Sequence, residues 1–259
     1  MKRLLLPAMT ALLLSVGIAS AESLEDGIEA FNRGDYSTAI KWFRQAAAQG
    51  DASAQYNLGV AYEHGQGVEQ DYAEAAKWYR LAAAQGVAEA QFNLGLMYEK
   101  GQVVAQGHTE AVKWYRLAAT QGMAEAQLNL GVAYNNGQGV AQDYAEAIKW
   151  FRLAADQGNA IAQSNLGLIY GKEQGVAQND AESVKWFRLA AAQGVAEAQH
   201  NLGVAYKNGL GVAQSYVDAI KWFRQAAAQG VAEAQSNLGF MYSKGQGVAQ
   251  DYADAAKWY

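Results

Sequence analysis

The chain has no cysteine and a single proline among its 259 residues. Without thiols there is no disulfide framework, no thiolate metal site and no cysteine nucleophile. With almost no proline and few strand-type runs of Val, Ile and Thr, the composition predicts an all-α protein. Charge is also sparse. The formal net charge is −5 and the basic residues form no stripe that could follow a phosphate backbone, which excludes nucleic acid as a partner. The three histidines, His64, His108 and His200, fall at different places along the chain and show no metal-ligand spacing, so neither a metal nor a cofactor is expected. The G-Q-G-V loops follow predicted helices rather than strands and lack the Lys-Ser/Thr of a phosphate loop. Asp71, Asp143 and Asp251 recur where helices should begin, so they read as caps rather than catalytic acids. No set of residues points to catalysis, and the chain is expected not to be an enzyme.

Residues 1–21 read as a secretory signal peptide. Lys2 and Arg3 supply the charged start, Leu4 to Ile18 the apolar stretch, and Ala19-Ser20-Ala21 the small-residue cleavage site before Glu22. The apolar run is short for a membrane span, so no stable anchor is expected after cleavage. No cysteine follows that could carry a lipid. The mature chain, residues 22–259, is expected to be periplasmic in a cell with two membranes and secreted otherwise, with a net charge near −7 once Lys2 and Arg3 are gone.

Against these absences stands a repeat. Trp42, Trp78, Trp114, Trp150, Trp186, Trp222 and Trp258 are spaced 36 residues apart without a slip. Each lies in a copy of one phrase, AIKWFRQAAAQG in the first and AAKWYRLAAAQG in the second, and a second phrase, QYNLGVAY, QFNLGLMY and their kin, alternates with it. A fixed period of this length means stacked supersecondary units rather than one globular core. Within one unit, Asp71 is predicted to cap a helix from Tyr72 to Gln85, with Glu74 completing a capping box and Ala75, Tyr79 and Ala82 forming the buried stripe. Gly86 is the expected left-handed stop. A second helix, Ala88 to Glu99, buries Gln91, Leu94, Gly95 and Tyr98, with Gly95 admitting a close neighbour. Two such helices cannot cover both stripes alone, so the next pair must supply the missing wall.

The phrases A-E-A-Q-x-N-L-G-x-x-Y, G-x-G-V-x-Q-D-Y and A-x-K-W-[FY]-R-x-A-A-x-Q-G resemble the Sel-one-like repeat, a relative of the tetratricopeptide repeat, over about residues 24–259. The opening GIEAFNRGDYSTAIKWF is closer to an ordinary tetratricopeptide repeat, with helices from Ser23 to Asn32 and Asp35 to Gln49. The resemblance implies a right-handed α-solenoid of stacked antiparallel helix pairs, about seven in number with the last one truncated. It implies that the N-L-G helices line a concave face and the K-W helices lie outside. Two repeats depart from the pattern: Glu173 and Asp180 replace a loop Gly and a helix-opening Tyr, and Val103 and His108 do the same earlier. These read either as neutral drift or as local reshaping. The chain stops within the truncated helix at Tyr259, which suggests a fragment, or an end covered by a partner or by self-association.

The tryptophans read as packing between repeats, so Trp150→Ala should cost about 3–5 kcal/mol and Trp258→Ala much less. The candidate binding residues lie on the N-L-G helices. Asn57, Asn93, Asn129, Asn165, Asn201 and Asn237 each precede the Leu-Gly pair. In related superhelical tetratricopeptide proteins an asparagine at this place bonds a peptide backbone, and Asn offers a donor and an acceptor to any amide; the alternative is that it only ties neighbouring helices. The residue before it varies within a fixed frame: Tyr56, Phe92 and Leu128, then Ser164, His200 and Ser236. That variation reads as a groove with an apolar N-terminal half and a polar C-terminal half. Positions after the repeat Tyr, such as Glu63, Glu99 and Lys207, read as solvated helix ends, the alternative being that their basic members meet an acidic ligand. The function expected is an exported, non-enzymatic scaffold holding a protein or extended peptide along its concave groove. Its alternatives are a cell-wall-directed hydrolase, as described for β-lactamase-like secreted relatives, and a periplasmic regulator or host-interaction factor.

Overall fold

The computed structural model describes residues 24–103, 107–172 and 177–259. The leader read over 1–21, the start of the first helix at Ser23 and the loop substitution at Glu173 lie outside the described residues. The described residues form fourteen helices and no strand. They are α1 (24–32), α2 (Tyr36–Ala48), α3 (Ala52–His64), α4 (Tyr72–Ala84), α5 (Ala88–Glu99), α6 (His108–Thr120), α7 (Ala124–Asn136), α8 (Tyr144–Asp156), α9 (Ala160–Gly171), α10 (Asp180–Ala192), α11 (Ala196–Asn208), α12 (Tyr216–Ala228), α13 (Ala232–Lys244) and α14 (Tyr252–Trp258). The chain divides into two compact units, one ending at Ala126 and the other beginning at Gln127. Each is a segment of α-solenoid built from helix pairs at the 36-residue step.

In the first unit the helix boundaries follow from local chemistry. Asp71 caps α4, its carboxylate accepting from the N–H groups of Ala73 and Glu74 at 2.8 and 3.0 Å. The expected capping box is only half made. The Asp71 N–H donates to the Tyr62 carbonyl at 2.9 Å, and the Glu74 carboxylate pairs with Lys77 instead. Gly86 turns the chain at φ +94°, which a residue with a Cβ rarely adopts. The buried faces are Ala75, Ala76, Tyr79, Ala82 and Ala83 on α4, and Ala90, Gln91, Leu94, Gly95 and Met97 on α5. Tyr98, expected in that stripe, is only half-buried, because its hydroxyl turns out to accept from Arg80 at 3.0 Å. A Cβ at Gly95 would fall well inside van der Waals contact with the Tyr115 ring, so this glycine sets how closely α5 and α6 approach. Helices α3 and α5 also touch each other directly, as same-type neighbours on one side of a stack must.

The second unit repeats these devices. Asp143 caps α8, Asn179 caps α10 and Ser215 caps α12, each through its side-chain oxygen. Helices α9 and α11 meet as α3 and α5 do. The indoles pack between successive pairs, as expected. Trp222 lies against the core of α10 and α11, and Trp258 against that of α12 and α13. Trp150 and Trp186 are buried, at 8% and 7% exposure, while Trp258 is only half-buried.

Within each unit a glutamine bridge joins neighbouring repeats. In the first, Gln85 Nε2 donates to Gln55 Oε1 at 2.8 Å and to the Gly50 carbonyl at 2.9 Å. In the second, Gln193 does the same to Gln163 and the Gly158 carbonyl, and Gln229 to Gln199 and the Gly194 carbonyl. Gln55, Gln163 and Gln199 are buried and donate in turn to carbonyls of the preceding helix. A buried amide left unbonded would cost free energy, so these bonds hold the repeats in register.

Candidate functional site

The candidate residues are the fifth and sixth residues of the N-L-G helices, just before the middle of each. The asparagine side chains are all half-buried. Tyr56, Phe92, Leu128 and His200 are also half-buried, and Ser236 is exposed. Ser164 departs from the expectation that this position faces solvent. It is buried at 4% exposure, and its Oγ has no hydrogen-bond partner. The larger members of this position pack, tilted, against the core aromatic of the following helix. Tyr56 lies 5.8 Å from Tyr79, Phe92 lies 5.7 Å from Tyr115, and His200 lies 5.7 Å from Phe223, centroid to centroid. They are therefore both floor and packing, since each shields an otherwise exposed ring edge.

In the first unit Asn93 is tied into a polar chain. Its Nδ2 donates to the Tyr79 hydroxyl at 3.1 Å, and that hydroxyl donates to Glu63 Oε2 at 2.6 Å. Burial, reinforced by the Glu63 carboxylate, raises the Tyr79 phenol far above its ordinary value, so it stays protonated and remains a donor. Burial likewise raises the Tyr56 phenol, with Asn93 beside it. Tyr115 and Glu99 repeat the pair one repeat on. The position read as a solvated helix end is thus a half-buried carboxylate held by a phenol. The signal was present in the residues, because Glu63 pairs with Tyr79 and Glu99 with Tyr115 at the same spacing of 16.

In the second unit the chemistry changes sign. The aromatic is Phe223, with no hydroxyl, and the matching position is Lys207, whose Nζ donates to Asn237 Oδ1 at 2.9 Å and lies 5.1 Å above the Phe240 ring. Asn237 Nδ2 donates to the Glu233 carbonyl at 2.9 Å and lies 3.4 Å from His200 Nε2. Burial lowers the His200 pKa; the Glu233 carboxylate opposes that shift and the Lys207 ammonium adds to it. An open cleft of about 430 Å³ is lined by Lys207, Glu233, Ser236, Asn237 and Phe240. No hydrogen bond among the described residues reaches the side-chain amides of Asn57, Asn165 or Asn201, and the residue fourteen before each, where Asn93 has Tyr79, is a phenylalanine: Phe43, Phe151 and Phe187. Among the described residues no group of three or more His, Asp and Glu side chains could hold a metal, and no helix is long and apolar enough to cross a membrane.

The Sel1 repeat pattern matches residues 19–51, 52–87, 88–123, 124–159, 160–195, 196–231 and 232–259. This chain belongs to the Sel1 repeat family. From the second match on, the boundaries put one N-L-G helix and the K-W helix after it into each repeat, which is how α3 and α4, α5 and α6, or α11 and α12 pack. Among solved structures it is similar to a protective antigen present in uropathogenic Escherichia coli strains that displays an SLR fold. The identity is 41% and the TM-score 0.88, over 93% of this chain and 52% of that one. It is also similar to a Sel1 repeat protein from Oxalobacter formigenes, at 35% identity and a TM-score of 0.84, over 91% of this chain and 96% of the other. The chain thus spans about half the length of the first of these relatives and nearly all of the second. No curated protein matches it. Sel1 repeat solenoids are generally non-enzymatic scaffolds that bind other proteins, and this chain has the scaffold.

Proposed function

We propose that the mature chain is an exported scaffold that captures an extended peptide or a protein segment along the face formed by its N-L-G helices. One observation carries the reading: Asn57, Asn165 and Asn201 recur at one register, half-buried, with amides that no described residue bonds. An amide that both donates and accepts, repeated at a fixed step, suits a backbone of any sequence, while the neighbouring Tyr56, Phe92, Leu128 and His200 set side-chain preference. Asn93, Asn129 and Asn237 belong to the same row, with Asn93 and Asn237 already held by Tyr79 and Lys207. The floor is apolar at Tyr56, Phe92 and Leu128 and polar at His200 and Ser236, which favours a segment whose side chains change character along its length. The leader over 1–21 and the relative described as a protective antigen support export, to the periplasm or outside.

Peptides selected from a displayed library against residues 22–259 should bind Asn165→Ala/Asn201→Ala about tenfold more weakly or worse, a loss of about 1.4 kcal/mol. Selected peptides that bind the double variant as tightly as the parent would remove the asparagine row from the interface. N-terminal sequencing of the exported chain should begin at Glu22.

A further inference from the structure

Helices α9, α10 and α11 of the second unit line a partly open pocket of about 140 Å³. The same position recurs along the repeat, and two of those places show which side chains can occupy it. Between α3, α4 and α5 the corresponding side chains are Glu63, Tyr72 and Met97; between α11, α12 and α13 they are Lys207, Tyr216 and Met241. Here they are Gly171, Asp180 and Ala205, each shorter than both of its counterparts. Tyr72 and Tyr216 pack against the cores of their repeats, whereas Asp180 lines the pocket and accepts from Gln178 Nε2 at 2.9 Å. The cavity is thus a tyrosine seat that this repeat has vacated and enlarged.

What remains is a pocket with an apolar wall, Val184 and Phe187 among it, and four polar side chains, Lys172, Asp180, Ser183 and Asn201. Ser183 already donates to the Gly167 carbonyl at 2.7 Å and Asp180 already accepts from Gln178, while the Asn201 amide has no hydrogen bond from a described residue. Apolar cavities of about 150 Å³ hold a benzene-sized ring, so the volume suits one aromatic ring and little more. The chain itself shows what an asparagine at this register binds: Asn93 donates to the phenol of Tyr79 at 3.1 Å, while Asn201 lines the pocket together with Phe187, which has no hydroxyl to offer.

We infer that this seat binds a phenolic ring, its hydroxyl accepting from Asn201 and its face lying on Phe187 and Val184. The ring comes either from a tyrosine on a bound chain or from a small free phenol. The inference shares the Asn201 amide with the peptide reading, but a free phenol is enough to test it.

The test is a titration of residues 22–259 with p-cresol, read by the Asn201 side-chain amide resonance and by melting temperature. Saturable binding is expected in the parent. Ala205→Met and Asp180→Tyr each restore a side chain that sister repeats carry in the same place, so both should fold, melt at or above the parent temperature, and bind p-cresol about tenfold more weakly or not at all. Failure of p-cresol to bind the parent saturably, or equal binding by both filled variants, overturns the inference. A blocked Ala-Tyr-Ala peptide separates the sources: binding at least as tight as p-cresol assigns the seat to a tyrosine on a partner chain, and p-cresol binding without peptide binding assigns it to a small phenol. Loss of library peptides in Asn165→Ala/Asn201→Ala bears on the proposed function and leaves the p-cresol result unchanged in the filled variants.

Discussion

The two units build one register from opposite chemistry. In the first, a carboxylate (Glu63) and a phenol (Tyr79) hold Asn93; in the second, an ammonium (Lys207) beside a plain ring (Phe223) holds Asn237. Between these two places the aromatic and the position sixteen residues before it differ together. The Tyr79 and Tyr115 phenols need an acceptor and get Glu63 and Glu99. A phenyl ring needs none, and the space beside it holds a lysine that finds the asparagine by itself. The scaffold therefore fixes where a polar group sits in the repeat and leaves its sign free, so each unit can present its own charge at this register.

The comparison first requires that both rings serve the same packing role. Tyr79 and Phe223 are fully buried, and the Cβ that Gly203 lacks would stand 2.7 Å from the Phe223 ring. Tyr79→Ala and Phe223→Ala should each cost about 3–5 kcal/mol in urea unfolding, as large aromatic truncations in cores do. A cost below about 1 kcal/mol for either would mean that its ring is not the floor of its cluster.

The next test separates the hydroxyl from the ring. Tyr79→Phe leaves Glu63 and Asn93 half-buried without their shared partner and should cost about 1–3 kcal/mol. Adding Glu63→Lys rebuilds the second unit's arrangement in the first, with the new ammonium placed to reach Asn93 as Lys207 reaches Asn237. The double variant should then be more stable than the sum of the single losses allows, by about 0.5–1 kcal/mol. Strict additivity would show that the joint change of the two positions has no energetic basis.

The period, the helix pairs, the caps at Asp71 and Asp143 and the packing of the indoles were legible because each is written in one short stretch and then written again. Ala88–Glu99 falls where the pattern put it, and Tyr72–Ala84 ends one residue earlier because Gln85 leaves the helix to cap it and to reach Gln55. The candidate face was legible in part. The asparagine row is a one-position signal and stands out. The role of Glu63 is not local: it depends on a phenol sixteen residues on, and then on an asparagine fourteen residues further. A helix end looks solvated until the neighbouring helix is laid beside it. The buried glutamines were hidden for the same reason, since a polar residue in an apolar stripe gains its meaning only from a partner thirty residues away.

The smallest effect concerns His200, which occupies in the second unit the seat that Tyr56 and Phe92 hold in the first. Burial beside Phe223 lowers its pKa; Glu233 faces it with a negative charge that works against this, and Lys207 with a positive charge that works with it. A histidine whose folded pKa lies below the unfolded value of about 6.5 binds a proton more readily when unfolded, so its contribution to stability is complete above that pH and is lost as the pH falls toward the folded pKa. His200→Phe installs the ring that Phe92 already provides at this place and removes the titration. Between about pH 7.5 and about pH 5.5 the parent should therefore lose more stability than His200→Phe, by less than about 1 kcal/mol, while the carboxylates common to both contribute equally and cancel. If the two melting curves shift in parallel across that range, His200 titrates alike folded and unfolded, and its seat is open to water in a way that the seats of Tyr56 and Phe92 are not.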